Sequence, residues 1–298
     1  MTVPEFVQLS HFDTAGSAWS TRRKERVPAP PERVWRAIVE PDELRQWWCD
    51  DATVDLRADG CYAFTGPHVF AGAADAAIVD LAENERLVYR WRIGDVETEV
   101  CYELANVLEL TEFTVTQTAE RSPAWPGAES GPNWWWTALP ALRGHVESGA
   151  PDLRIDFEGA ATAPVIEFGV NVYTFPWIIW DKLTNPLQMN RWWATDARVE
   201  PKPGGVFDFG GAGDGPRRIL ELEPERRLVH DWHWNDETAS RVSWTIADTD
   251  EATRVSVCDE GPWPASCRRD QLAIHWAAWL LNLKQMSQRG VTPGEYQA

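Results

Sequence analysis

The stretch that decides the fold is residues 31–66, PERVWRAIVEPDELRQWWCDDATVDLRADGCYAFTG, because it returns as residues 176–211, PWIIWDKLTNPLQMNRWWATDARVEPKPGGVFDFGG. The two align at an offset of 145 without a gap. Pro31 meets Pro176, Trp35 meets Trp180, Pro41 meets Pro186, and Trp47-Trp48 meet Trp192-Trp193. Gly60 meets Gly205, Phe64 meets Phe209, and Gly66 meets Gly211. Across the 36 positions 11 are identical, where unrelated segments of average composition would share about two. Self-similarity at this period marks a duplicated unit.

The match extends in both directions. Phe12-Asp13 lies over Phe157-Glu158 and Val27 over Val172. After a four-residue deletion in the second copy the offset becomes 141, and Arg86-Leu87-Val88 with Trp91 meet Arg227-Leu228-Val229 with Trp232. Trp135, Leu139, Leu142 and Gly149 then meet Trp276, Leu280, Leu283 and Gly290. The polar, small-residue run at 147–151 has linker composition, which places the domains at 1–149 and 150–298.

Within each copy the pattern predicts an α+β unit. A strand (21–27; 165–173) leads into a proline-started helix, since proline at the first helical position forfeits no bond. Val34, Trp35 and Ile38, like Ile179, Trp180 and Leu183, have the spacing of a buried helical face. Pro41 and Pro186 end that helix, and a second short helix carries the tandem tryptophans. Antiparallel strands follow. Leu87, Tyr89, Trp91 and Ile93 alternate with Val88, Arg90 and Arg92, and Leu228, His230, Trp232 and Trp234 alternate with Val229, Asp231 and His233, as one-sided sheets require. Later strands run through 107–117 and 241–258. Leu272, Trp276, Trp279, Leu280 and Leu283 form the stripe of a long closing helix. In the first copy Pro140 should kink or break the equivalent helix.

These words on this frame resemble the START-like, helix-grip (SRPBCC) superfamily, in particular the branch named after the activator of the heat-shock-protein-90 ATPase. Pro-Glu-Arg-Val-Trp at 31–35, Pro-Asp-Glu-Leu at 41–44, the tandem tryptophans, Gly204-Gly205 with Phe207 and Phe209, and Glu-Arg-Leu-Val-Tyr-Arg-Trp at 85–91 carry the resemblance. It implies two tandem helix-grip domains, each a curved antiparallel sheet around a long C-terminal helix with a cavity between them. It also implies binding of lipid- or polyketide-like molecules, with cyclases, hydrolases and co-chaperones among the relatives. Asp59, where the second copy has Gly204, and Pro140 depart from the pattern and question the first pocket's geometry.

Composition narrows the partners. The chain has 298 residues, with 46 acidic against 28 basic side chains and a net charge of −18, so phosphate backbones and anionic lipid surfaces would repel it. No nucleic-acid or membrane partner is expected. A protein partner is possible but not indicated. Met1 to Ser10 has neither the basic start nor the apolar core of a signal peptide, and the longest apolar runs are too short to span a bilayer. Five cysteines without a CxxC spacing argue against a disulfide framework or a thiolate zinc site. A cytoplasmic location is expected, with no cofactor and no metal.

The 19 tryptophans require large cores or aromatic-walled cavities. Candidate ligand-binding residues are Trp48, Phe64, Tyr89, Trp91 and Trp135 in the first copy. In the second they are Trp193, Phe209, His230, Trp232, Trp276, Trp279 and Leu280. Each has a plain alternative: the tandem tryptophans can seal the helix pair onto the sheet, and an aromatic helix stripe is more often core than pocket. Tyr89 and His230 share an inward position and could bond a ligand or act as acid or base, or be satisfied by backbone or water. His275, beside Trp276, reads as structural. His230, Asp231 and His233 alternate faces on a strand and cannot converge on a metal. The run at 210–215 lacks the Lys-Ser/Thr of a phosphate loop and reads as a hairpin turn. Binding of a small hydrophobic or aromatic molecule is the leading expectation, with the second copy the better pocket. The alternatives are a cyclase, aromatase or hydrolase using His230, and a co-chaperone-like interaction protein.

Overall fold

Pro31 and Pro176 do open helices, and each is followed by a second proline-led helix after one extended residue, Glu40 or Asn185. The computed structural model describes residues 19–69, 73–121, 134–194, 196–210, 217–233 and 238–288. Trp234, Gly211 and Gly290, the N-terminal match at Phe12-Asp13 and most of the glycine-rich run lie outside them. The chain divides into two compact units, Met1–Ala161 and Thr162–Ala298.

The first unit contains β1 (Trp19–Val27), α1 (Pro31–Val39), α2 (Pro41–Trp47), β2 (Asp51–Val54), β3 (Cys61–Thr65), β4 (Ala73–Ala82), β5 (Arg86–Ile93), β6 (Val96–Val107), β7 (Leu110–Ala119), α3 (Trp135–Ser148) and α4 (Phe157–Thr162). The second repeats this order: β8 (Ile166–Val172), α5 (Pro176–Thr184), α6 (Pro186–Met189), β9 (Arg198–Val199), β10 (Val206–Asp208), β11 (Arg217–Glu223), β12 (Arg227–His233), β13 (Ala239–Asp248), β14 (Thr253–Asp259) and α7 (Arg269–Ser287). Each unit is one seven-stranded antiparallel sheet, β1-β7-β6-β5-β4-β3-β2 and β8-β14-β13-β12-β11-β10-β9. The first strand crosses back beside the last, and the closing helix, α3 or α7, packs on the face that bears the aromatic rings. Period-2 patterning puts Leu87, Tyr89, Trp91 and Ile93 inside and Arg90 and Arg92 outside; Val88 is buried too.

The duplication reaches individual hydrogen bonds. Trp47 Nε1 donates to the Ala37 carbonyl at 2.8 Å, and Trp192 Nε1 to that of Lys182 at 2.9 Å. Those bonds define the first tryptophan of each tandem pair: it ties the second helix to the first. The β-turn glycines are equally matched. A Cβ on Gly60 would lie 2.0 Å from the Asp55 carbonyl oxygen, and one on Gly205 would lie 2.1 Å from that of Glu200. Only glycine tolerates so close a backbone approach.

Two expected departures of the first copy do not alter its frame. Asp59 adopts φ 60°, close to the 78° of Gly204, and its N–H bonds the Ile78 carbonyl as that of Gly204 bonds Ile219. Aspartate is among the few residues that enter the left-handed region at small cost. Pro140 sits inside α3, which runs unbroken from Trp135 to Ser148. Proline removes one backbone donor, but the buried Trp135, Leu139 and Leu142 keep both halves of the helix seated on the sheet. The helix ends where Gly149 turns left-handed, φ 80°.

Candidate functional site

In the first unit the candidate rings converge and close on one another. Trp48 lies 5.3 Å from Phe64, 4.5 Å from Trp134 and 5.7 Å from Trp135, and Trp91 lies 5.6 Å from Phe64. All are buried. Tyr89 is satisfied rather than poised: its hydroxyl meets that of Tyr102 at 2.8 Å, and burial holds both phenols well above their ordinary pKa. Trp135 Nε1 donates to Gln117 Oε1 at 2.8 Å, and Gln117 Nε2 donates to Thr98 Oγ1 at 2.9 Å. A cavity of about 30 Å³ remains between the tandem tryptophans, α3 and residues 153–157, room for about two waters.

The second unit uses the same positions with different side chains. Trp276 Nε1 donates to Asp259 Oδ2 at 3.0 Å, so a carboxylate stands where the first unit has Gln117. Asp259 also accepts from Trp263 Nε1 at 3.1 Å. Its burial raises the carboxyl's pKa, against the pull of bonds from Ser240, Trp276 and Trp263. On β11, Arg217 is wholly buried, its guanidinium 3.8 Å from the Trp232 ring centre and 4.5 Å from that of Phe209. The strand registers, Ile219 opposite His230 and Ile78 opposite Tyr89, place Arg217 at the position of Ala76 in the first unit.

His230 faces this cation from β12. Nδ1 lies 2.8 Å from the Asp231 carbonyl, which fixes the proton there, and Nε2 is buried with no hydrogen-bond partner among the described residues. Desolvation first, and Arg217 beside it, bring its pKa down to about 4. The group is therefore neutral at pH 7, with an open acceptor lone pair beside the Phe207 ring, 4.7 Å away. Asp231 points to the other face and meets His233 Nε2 at 3.1 Å.

Trp193, Trp232 and Trp279 stand around the pair, with ring centres 5.4 Å apart for Trp193–Trp279 and 5.5 Å for Trp232–Trp279. Phe209 stacks 4.0 Å from Trp193. These three indoles are only half-buried, whereas Trp276 and Leu280 behind them are fully buried. Their counterparts in the first unit, Trp48, Trp91 and Ala138, are all buried. His275 stacks on Trp279 at 5.8 Å, and desolvation brings its pKa to about 4.

Sequence reasoning thus located the rings and His230 but missed Arg217 and Asp259. Arg217 follows the glycine-rich run where the two copies lose register, so no repeat position announced it. Asp259 was legible only as the acidic counterpart of Gln117, a pairing the sheet register supplies.

The chain matches the family described as "Activator of Hsp90 ATPase homolog 1-like protein" over residues 28–141 and again over 176–288. It belongs to that family. Its fold is that of the START-like, helix-grip superfamily, with the Hsp90-activator-like domain present twice. Among solved structures it is similar to DynU16, a putative protein of the dynemicin biosynthetic locus, at 21% identity over 90% of this chain and 98% of that one, TM-score 0.40. It is also similar to CalU16 from Micromonospora echinospora, at 21% identity over 44% of this chain and 77% of that one, TM-score 0.36. A third likeness is to MLL2253 from Mesorhizobium loti, at 20% identity over 43% and 99%, TM-score 0.39. No curated protein matches the chain. No described helix of this tandem Hsp90-activator-like protein is long and apolar enough to cross a membrane.

Proposed function

We propose that the protein binds a small hydrophobic or aromatic molecule in its second unit, among Trp193, Phe209, Trp232 and Trp279. The observation that carries this reading is three half-buried indoles beside a buried cation and a neutral imidazole nitrogen that has no partner among the described residues. Ring faces gain most from flat apolar guests, and a buried acceptor such as His230 Nε2 gains from a guest that brings a donor. A phenol-like guest meets both demands. Because the rings touch, the guest enters by parting Trp193 from Trp279.

Binding is favoured over turnover. With its pKa at about 4, His230 has no proton to give from Nε2 at neutral pH and so serves better as an acceptor than as a general acid. The described cysteines are all free, which supports a reducing compartment such as the cytoplasm. Intrinsic tryptophan fluorescence, titrated with naphthols and related phenols and checked by calorimetry, tests the proposal. Saturable 1:1 quenching is the expected result, weakened about tenfold or more by Trp232→Ala. A panel with no saturable response would end the reading.

A further inference from the structure

In the second unit the aromatic face is half open; in the first the chain itself closes it. Beyond the end of α3, the irregular residues 151–156 turn back over the mouth between the tandem tryptophans and α3. Leu153, Ile155 and Phe157 alternate as strand residues do, and all three are buried. The segment is fastened by polar bonds. His68 Nδ1 meets the Ile155 carbonyl at 3.0 Å, and the Phe157 N–H donates to the Pro67 carbonyl at 2.8 Å. Arg154 donates to the Cys49 carbonyl at 3.1 Å and to Asp50 at 3.2 Å.

Under this strap lies the cavity of about 30 Å³. Of the residues lining it, Trp48 and Trp134 each bury an indole N–H without a hydrogen-bond partner among the described residues, and Arg154 does the same with Nε. A third indole donor, that of Trp91, has no partner among the described residues in the adjoining ring cluster, 5.3 Å centre to centre from Trp134. Buried donors left without acceptors cost about 1–3 kcal/mol each, so the residues around this space include groups that demand lone pairs. Apolar walls with a few convergent donors are the make-up of a ligand site, yet the remaining volume holds no more than about two waters. The strap's three apolar side chains fill the rest.

We propose that residues 153–157 are a removable strap over a second, latent binding site in the first unit, one that takes a small apolar molecule carrying a hydrogen-bond acceptor. The two units then differ in balance. The second buries an acceptor, His230 Nε2, with one indole donor, that of Trp244, among the same rings; the first buries indole donors beneath the strap. Opening the strap breaks the polar bonds at His68, Cys49, Asp50 and Pro67 and leaves the sheet ladder untouched.

The test uses the full chain and 6-propionyl-2-dimethylaminonaphthalene, a flat apolar ketone whose emission shifts to the blue when it leaves water. Stoichiometry is compared between the wild-type protein and the triple variant Leu153→Ser, Ile155→Ser, Phe157→Ser. One additional dye per chain in the variant is the expected result, with Trp48→Phe and Trp134→Phe each weakening that additional site about threefold to tenfold through loss of a donor. A folded triple variant that binds no more dye than the wild-type protein overturns the proposal. Should circular dichroism show the triple variant unfolded, Arg154→Ala decides: it loosens the strap without removing its apolar contacts. Dye uptake above the wild-type level then supports the strap, and uptake at that level refutes it. The second unit is the same in both proteins, so dye bound there cancels in the comparison and the increment separates the two proposals.

Discussion

Acidification should destabilise the second unit through His230, and the size of the effect follows from its burial. In the unfolded chain the imidazole titrates near its ordinary 6.5; in the folded protein desolvation and Arg217 hold it at about 4. The folded state therefore binds fewer protons between these values, and stability falls as the pH drops from 6.5 towards 4. Two and a half units amount to about 3.4 kcal/mol at full effect, of which about 2.5 kcal/mol has developed by pH 4.5. Carboxylates elsewhere also titrate in this range, so the comparison needs a variant. His230→Phe keeps an apolar ring beside Phe207 and Phe209 and removes the titration. Guanidinium unfolding followed by tryptophan emission at pH 7.5 and 4.5 would give the two differences in unfolding free energy. The wild-type protein should lose about 2.5 kcal/mol more than the variant on acidification. Equal losses would show that His230 is reached by water or by a proton-accepting partner, and the neutral, dry imidazole on which the second site depends would be gone.

Two further outcomes test the frame that holds the sites. Gly60→Ala and Gly205→Ala each force a methyl group onto a backbone oxygen 2.0–2.1 Å away, so each should cost more than about 2 kcal/mol by thermal unfolding, while Asp59→Gly leaves the same turn intact. Asp259→Ala should cost about 1–3 kcal/mol by stranding the Trp276 indole N–H; Asp259→Asn should restore most of it, because the amide of Gln117 already does this work in the first unit.

The architecture was largely legible because burial and chain reversal leave periodic marks. Pro31 and Pro176 fix helix starts, Tyr89 and Trp91 face inward because strand side chains alternate, and Gly60 and Gly205 recur because no side chain fits there. Pro140 does not break α3, because the burial of Trp135, Leu139 and Leu142 outweighs one lost backbone donor. Of the candidate site, the rings and His230 were legible, whereas Arg217 and Asp259 were not. Arg217 reads as an ordinary strand arginine, and only the fold reveals that it lies under Trp232 and Phe209. The residues at 147–151 read as a linker, and nothing local showed that the chain just beyond them would turn back.

By itself, then, the sequence determined a duplicated α+β unit and which aromatic residues point inward, because repeat, periodicity and turn chemistry are written along the chain. Only the tertiary contacts show that Leu153, Ile155 and Phe157 lie buried against the first copy's tandem tryptophans, while three indoles of the second stay half-buried beside Arg217 and His230. Solvent access and the pairing of buried donors and acceptors depend on which distant segments meet, and no pattern along a single chain encodes that directly.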